Sequence, residues 1–291
     1  MGVQKPKPYE IGIYVSDIHC GSKVGLIDVE HEILIDGGSY YTPSIIQQKM
    51  WVMWQRFWND WVPKATDGKP YAVVLNGDSV EGSPYNSIEN ISSNPADQVK
   101  YAVNVLKPIK ERCNGHLYIT RGTPAHVGIS GYLEEMVGSG VGAIPNELGQ
   151  FARFEIWMEI GKGLTHVTHH IGTTSATTYE TTALTRELAE LYTESGRWNL
   201  RPVDIAIRSH RHRYAKAELP SVNDQGCCIT TPGWQAKTPF VHKIPGGRVS
   251  QPQFGGVMVR DNGEELYTRK KVWPLDRPNV IVERPLIEES S

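Results

Sequence analysis

The feature that most constrains this chain is a short apolar run that stops abruptly at Asp or His, and it recurs five times. Ile11 to Val15 leads into Ser16-Asp17-Ile18-His19, and Tyr71 to Leu75 leads into Asn76-Gly77-Asp78. Leu117 to Ile119 leads into Arg121-Gly122-Thr123 with His126 close behind, and the stretch from Phe154 to Val167 leads into His169-His170. Val203 to Ile207 leads into Ser209-His210-Arg211-His212. Short apolar runs bounded by Gly, Asn and Ser read as strands buried on both faces.

Helical patterns lie between several of these strands. Asn94-Pro95 supplies a cap and a first-turn proline ahead of Val99, Ala102, Val103 and Leu106. Thr42-Pro43 is expected to open a second helix, with Trp51, Trp54, Trp58 and Trp61 on one face as core packing. A third runs from about Ala176 through Leu184, Leu188, Leu191 and Tyr192 and is expected to end at Gly196. Alternating strands and helices favour an α/β layered architecture. The chain has 291 residues and shows no long linker or internal repeat, so a single domain over 1–291 is expected. Its β-rich part, 217–291, is expected to complete a second sheet.

In an open α/β sheet the loops after the carboxyl ends of strands converge on one crevice, so five such endings can supply ligands to a single site. Residues two apart on an extended segment point the same way, so Asp17 and His19, and His210 and His212, are expected to address one point. Mixed carboxylate and imidazole ligands suit Mn²⁺, Fe, Zn²⁺ or Ni²⁺. Taken singly, each of these residues reads as a cap or a structural histidine; the ordered set reverses that reading.

Four of these motifs, Asp17-Ile18-His19, Gly77-Asp78 with Glu81 after it, His169-His170 and Ser209-His210-Arg211-His212 with Ser in place of Gly, resemble the order Asp-x-His, Gly-Asp, Gly-Asn-His, His and Gly-His-x-His of the calcineurin-like metallophosphoesterases, over roughly residues 11 to 214. The resemblance implies a four-layer α/β/β/α sandwich, two mixed sheets flanked by helices. It implies one metal held by Asp17, His19, Asp78 and His212 and a second held by Asp78, His169 and His210, with Asp78 shared and catalytic. Two divalent ions are implied, Mn²⁺ first and Fe, Zn²⁺ or Ni²⁺ otherwise, about 3.5–4 Å apart and activating a water for in-line attack on phosphorus.

The departure is in the third motif, where the family has Gly-Asn-His and this chain has Gly122-Thr123-Pro124-Ala125-His126. Thr123 is then a candidate neutral oxygen ligand, and His126, displaced by two residues, a candidate catalytic group that contacts phosphate or protonates the leaving group. His170 is a candidate for orienting a ligand. Arg121 and Arg211 are candidates for holding phosphate, among a basic group that includes Arg208, Arg213 and Lys216.

The function expected is hydrolysis of a phosphodiester of nucleic acid or nucleotide type, or of a phosphomonoester. The alternatives are a phosphoprotein phosphatase, a non-catalytic scaffold that binds metal or a phosphorylated partner, and a hydrolase of non-phosphate substrates. A net charge of −2 argues against a surface built throughout to grip nucleic acid. The apolar stretch after the polar N-terminus is too brief for a signal peptide or membrane helix, so a cytoplasmic location without membrane contact is expected. The four cysteines show no paired spacing and read as reduced thiols.

Overall fold

Ile11–Val15 (β1) is buried at every residue, which explains a sequence with no polar alternation. The computed structural model of the chain describes residues 8–83, 88–172, 177–220, 226–244 and 247–274. After β1 come a small hairpin, β2 (Ile33–Leu34) and β3 (Tyr40–Tyr41), and then α1 (Ile45–Arg56). A π-helical turn, Phe57–Trp61, continues α1 into α2 (Val62–Thr66). Next are β4 (Ala72–Asn76), α3 (Pro95–Arg112), β5 (Leu117–Thr120), α4 (Pro124–Val127), α5 (Tyr132–Val141) and β6 (Ala152–Arg153). A hairpin of β7 (Ile156–Ile160) and β8 (Gly163–Val167) precedes α6 (Glu180–Arg197). The last strands are β9 (Ile205–Arg208), β10 (Ala215–Leu219), β11 (Gly226–Thr230), β12 (Gln253–Asp261) and β13 (Leu266–Pro274).

Two mixed sheets form, in the orders β13-β12-β1-β4-β5-β6 and β10-β11-β9-β8-β7. Strands β1, β4, β5 and β6 are parallel neighbours in the first, and β8, β9 and β11 in the second. Tyr14, Val74, Val167, Ile207, Ile229 and Val257 meet between the sheets. The other face of the first sheet packs under α1, α3 and α5, and that of the second under Leu184 and Leu188 of α6. The result is the expected four-layer α/β/β/α sandwich. No helix among the described residues is long and apolar enough to cross a membrane.

Several local expectations need correction. The strands after residue 217 divide between the sheets: β11 pairs with β9 in the second, but β12 pairs antiparallel with β1 in the first. The open edge of β1 must be covered, and β12 covers it with Val257 and Val259 facing the inter-sheet core and Phe254 and Met258 facing the helices. Helix α1 is capped by Ser44, two residues past Thr42, because Ser44 and Gln47 form a reciprocal capping box. Helix α6 runs through Gly196 to Arg197, and Asn199 (φ 50°) takes the left-handed turn expected of the glycine. The expected start of α6 near Ala176 lies outside the described residues. Asn94 caps α3 as read, its side chain accepting from the Ala96 N–H.

The tryptophan stripe is core. Trp51, Trp54 and Trp58 are buried and Trp61 is partly so, with Trp54 edge-on to Trp58 and Trp234 at centroid distances of 5.5 and 4.8 Å. Truncating Trp54 to Ala removes the ring at the centre of this cluster, and the expected cost is about 3–5 kcal/mol, read as a lowered urea midpoint. A loss under about 1 kcal/mol would mean that the helix layer does not depend on this packing.

Candidate metal centre

Six strand ends meet where the two sheets join, and buried polar side chains tie them together. Asn76, ending β4, donates from Nδ2 to the Thr168 carbonyl (2.9 Å) and to Ser209 Oγ (2.6 Å), and accepts from Thr120 Oγ1 (2.6 Å). Thr231 Oγ1, just past β11, lies 2.8 Å from Ser209 Oγ and 2.7 Å from Ser16 Oγ. The loops after β1 and β4 stay paired beyond the sheet, Asp17 N–H donating to the Gly77 carbonyl and His19 N–H to the Asp78 carbonyl, each at 3.0 Å.

On this floor the structure assembles three overlapping groups whose ligand atoms lie within 4.8 Å of one another: Asp17, His19 and His212; His19, Asp78 and His126; Asp78, His169 and His210. Asp17 Oδ1 faces Nε2 of His212 at 3.2 Å, of His169 at 3.8 Å and of His19 at 4.0 Å. Asp78 Oδ2 faces His169 Nε2 at 3.0 Å, His19 Nε2 at 3.9 Å and His210 Nδ1 at 3.9 Å. Thr123 Oγ1 lies 3.1 Å from Asp78 Oδ2, 3.4 Å from His169 Nε2 and 3.1 Å from His210 Nδ1, so it sits inside the third group.

The pairs converge by a different route from the extended geometry expected of them. Asp17, His19, Asp78, His210 and His212 have φ of 54°, 43°, 53°, 71° and 53°, all left-handed. Asp and His tolerate this region better than most residues, and such strain gathers at functional sites. Close approach also needs missing side chains: a Cβ on Gly77 would lie 2.4 Å from His169 Nδ1, and one on Gly122 2.2 Å from Asp78 Oδ1.

The electrostatics fit a cation. Burial opposes ionisation of Asp17, but the charges of His212 and His169 outweigh it and hold the carboxyl down at about 2. Asp78 is likewise held well below the usual carboxylate range, by His169 and by hydrogen bonds from His169 and His210, against its burial. Burial disfavours a charged His169, yet Asp78 and Asp17 raise it to about 10; His212 is raised in the same way by Asp17. Burial and the neighbouring His126 lower His19. Asp17 Oδ1 is buried and accepts no hydrogen bond, facing only ring nitrogens. An orphaned carboxylate oxygen within a carboxylate and imidazole set is what a divalent ion would satisfy.

Other expected residues have different surroundings. His126 lies on α4, its Nδ1 donating to the Glu81 carbonyl (2.7 Å) and its ring edge-on to His19. His170 is exposed, packs against His169 and His210 at 5.2 and 5.7 Å, and enters none of the three groups. Arg121 turns to the Ala152 carbonyl and lies over the Phe154 ring, and Arg211 donates to the Glu180 and Gly172 carbonyls. Arg208 pairs with Glu187 and Arg213 with Glu180, so these arginines and Arg211 fold onto α6 and its approach instead of facing the cluster, while Lys216 pairs with Glu218 on its own strand. Each guanidinium found a nearer carboxylate or carbonyl to satisfy.

Two buried carboxylates beside the ligands went unassigned in the sequence. Glu81 Oε2 lies 3.0 Å from His19 Nδ1 and accepts from Gln235 Nε2 (2.6 Å). Glu134 of α5 accepts from the Ser79 N–H (3.1 Å) with one oxygen and from the Gly122 N–H (2.6 Å) with the other, clamping the loops after β4 and β5. Burial, then the Asp78 charge, push the Glu134 carboxyl up to about 8. The one sequence signal for Glu134 is a charge on the apolar face of an amphipathic helix.

No family model matches the sequence, and no curated protein matches it. Among solved structures, 45 chains match. One is a metallophosphoesterase from Sphaerobacter thermophilus, at 6% identity and TM-score 0.37 over 92% of this chain and 89% of that one. Another is vacuolar protein sorting 29 from Cryptosporidium parvum, at 10% identity and TM-score 0.37 over 91% and 98%. Likeness at this level says nothing of residues or substrate, and the chemistry is read from the cluster itself.

Replacing Glu134 with Leu leaves two buried N–H groups without acceptors while roughly keeping the volume. A loss of about 2 kcal/mol or more is expected in urea unfolding, with Mn²⁺ bound more weakly in calorimetry because Asp78 and Thr123 flank the two clamped loops. Unchanged stability and affinity would show that the clamp does not position the ligands.

Proposed function

We propose that the chain is a metal-dependent phosphoesterase, with Asp17, His19, Asp78 and His212 around one divalent cation and Asp78, His169, His210 and Thr123 around a second. What carries this reading is that Asp17, His19 and His212 form one group and Asp78, His169 and His210 adjoin it as another, with Asp78 Oδ2 lying 3.9 Å from His19 Nε2 between them. Cations in such a pair polarise phosphoryl oxygens, lower the pKa of a water and offset charge in an in-line displacement.

The chain's own residues set up that chemistry. The Asn76 carbonyl takes the Nδ1 proton of His169 (2.7 Å), which leaves Nε2 turned to Asp78. Glu81 Oε2 lies 3.0 Å from His19 Nδ1, on the far side of the ring from Nε2, which is 3.2 Å from His212 Nε2. The Glu81 carbonyl holds His126 Nδ1, so Nε2 is the atom from which His126 gives a proton to a leaving group. Thr123 supplies a hydroxyl where the related motif has an amide. Its N–H donates to Asp78 Oδ1 at 2.7 Å, which leaves Oδ2 free for the cluster. With the basic residues beside the fifth motif turned to α6, a small phosphate ester is favoured over a nucleic-acid polymer.

Bis-p-nitrophenyl phosphate and p-nitrophenyl phosphate with Mn²⁺, Fe²⁺, Zn²⁺ or Ni²⁺ test the proposal. Hydrolysis is expected with at least one metal, reduced roughly 10²-fold or more in Asp78→Asn and in His210→Ala. Wild type as inert as both variants with every metal would replace the enzyme by a metal-binding scaffold.

Metal uptake has its own signature. His169, raised to about 10, carries a proton at neutrality that a cation must displace, and His212 is shifted in the same direction by Asp17, so affinity rises with pH and binding releases protons. Calorimetry in two buffers of different protonation enthalpy is expected to show release of about one proton or more. No release at neutral pH would place the cation elsewhere.

A further inference from the structure

The cluster opens into a cleft of about 500 Å³ whose lining is divided by chemistry. His19, Asp78, His126, His210 and His212 form one part of it. Ile88, Pro239, Phe240, Val241 and Ile244 form another, contributed by two segments far apart in sequence. Ile88 and Phe240 are 82% and 55% exposed, so this apolar part stands open to water beside the most polar point of the molecule. An apolar surface next to convergent polar groups is the composition of a ligand pocket, and a volume of this size holds a small organic molecule. Lys243 is the one cation other than histidine among the described lining residues, and Glu89 and Glu81 line the cleft as well. A track of phosphates needs a run of positive charge, and the described lining residues do not supply one.

We infer that the substrate is a small phosphate ester carrying an aromatic ring, of the size of an aryl group or a single nucleoside. The phosphate lies at the Asp78 cluster and the ring against Phe240, Ile88, Val241 and Ile244. This rests on the phosphoesterase reading and adds to it the part of the substrate that the metals do not see. The ring gains by leaving water against this apolar wall. A methyl group in its place offers the wall far less apolar surface to cover, so discrimination comes from the wall.

Phosphonates separate the two contributions because they cannot be hydrolysed and differ only in their substituent. With Mn²⁺ present, and at a pH where both are dianions, calorimetry is expected to show phenylphosphonate binding about tenfold or more tighter than methylphosphonate. In Phe240→Ala, and separately in Ile244→Ala, that ratio is expected to fall at least threefold, through weaker binding of the phenyl compound. Equal affinities in the wild type, or a ratio unmoved in both variants, overturn the assignment of the wall while leaving the phosphate site standing. Binding of neither phosphonate to a protein that does bind Mn²⁺ overturns the phosphoesterase reading and this inference with it. A single-stranded oligonucleotide that outcompetes phenylphosphonate, with the two phosphonates bound equally, would assign the cleft to a polymer.

Discussion

Asp17 and Asp78 are buried almost completely in one cluster, and each bears on the other's ionisation. Charge out of water is costly, and two like charges in a medium of low dielectric are costlier still. The sandwich answers with imidazoles. His169 and His212 are drawn toward their charged forms by these carboxylates, against their own burial. Protons on two rings are a modest answer, however, and Asp17 Oδ1 still accepts no hydrogen bond. A divalent ion held by these residues would concentrate more positive charge at the same point and leave both rings as neutral donors of lone pairs. The electrostatic demand precedes any statement about substrate.

Meeting that demand requires backbone in conformations that cost free energy. Five candidate ligands have left-handed φ, each at an expense on the order of 1 kcal/mol. The surrounding hydrogen bonds over-determine these turns. Asn76 reaches across to Thr168 and Ser209, so the first sheet fixes the loops of the second. Glu134 binds the loops after β4 and β5 from the helix side. Gly77 and Gly122 let His169 and Asp78 come closer than any side chain would permit. The site is therefore held by groups that never touch its centre.

Much of this was legible in the sequence, for a physical reason. Strands buried on both faces must be apolar throughout, so the Asp or His that ends each run marks both the strand end and the candidate ligand. Asn94-Pro95 was legible because capping is local. What escaped depends on distant partners. Nothing near Gln253 says that β12 will cover β1, some 240 positions earlier in the numbering, nor that Glu134 will find the Ser79 and Gly122 N–H groups. Alternation along a strand gives one way for Asp17 and His19 to converge, but the left-handed turns come from pairing with the loop after β4. Arg121 and Arg211 stood at the right places in sequence, and the carbonyls of Ala152, Gly172 and Glu180 took their guanidinium groups.

The third motif shows how a departure in sequence can be compensated in space. Two residues more than the related pattern separate the glycine from His126, which as extended chain would carry the ring about 6.6 Å further on. Pro124 instead starts a helical turn, in which two residues add about 3 Å along the axis, and His126 N–H and Val127 N–H both bond back to the Thr123 carbonyl. The turn brings His126 against His19 and beneath the Glu81 carbonyl, on the wall of the cleft. Thr123 has a shorter side chain than Asn, and its own N–H bonds to Asp78, which draws the backbone in and carries Oγ1 among Asp78, His169 and His210. The altered motif therefore places a hydroxyl among Asp78, His169 and His210 and an imidazole on the wall of the cleft, by a path that spacing alone does not reveal.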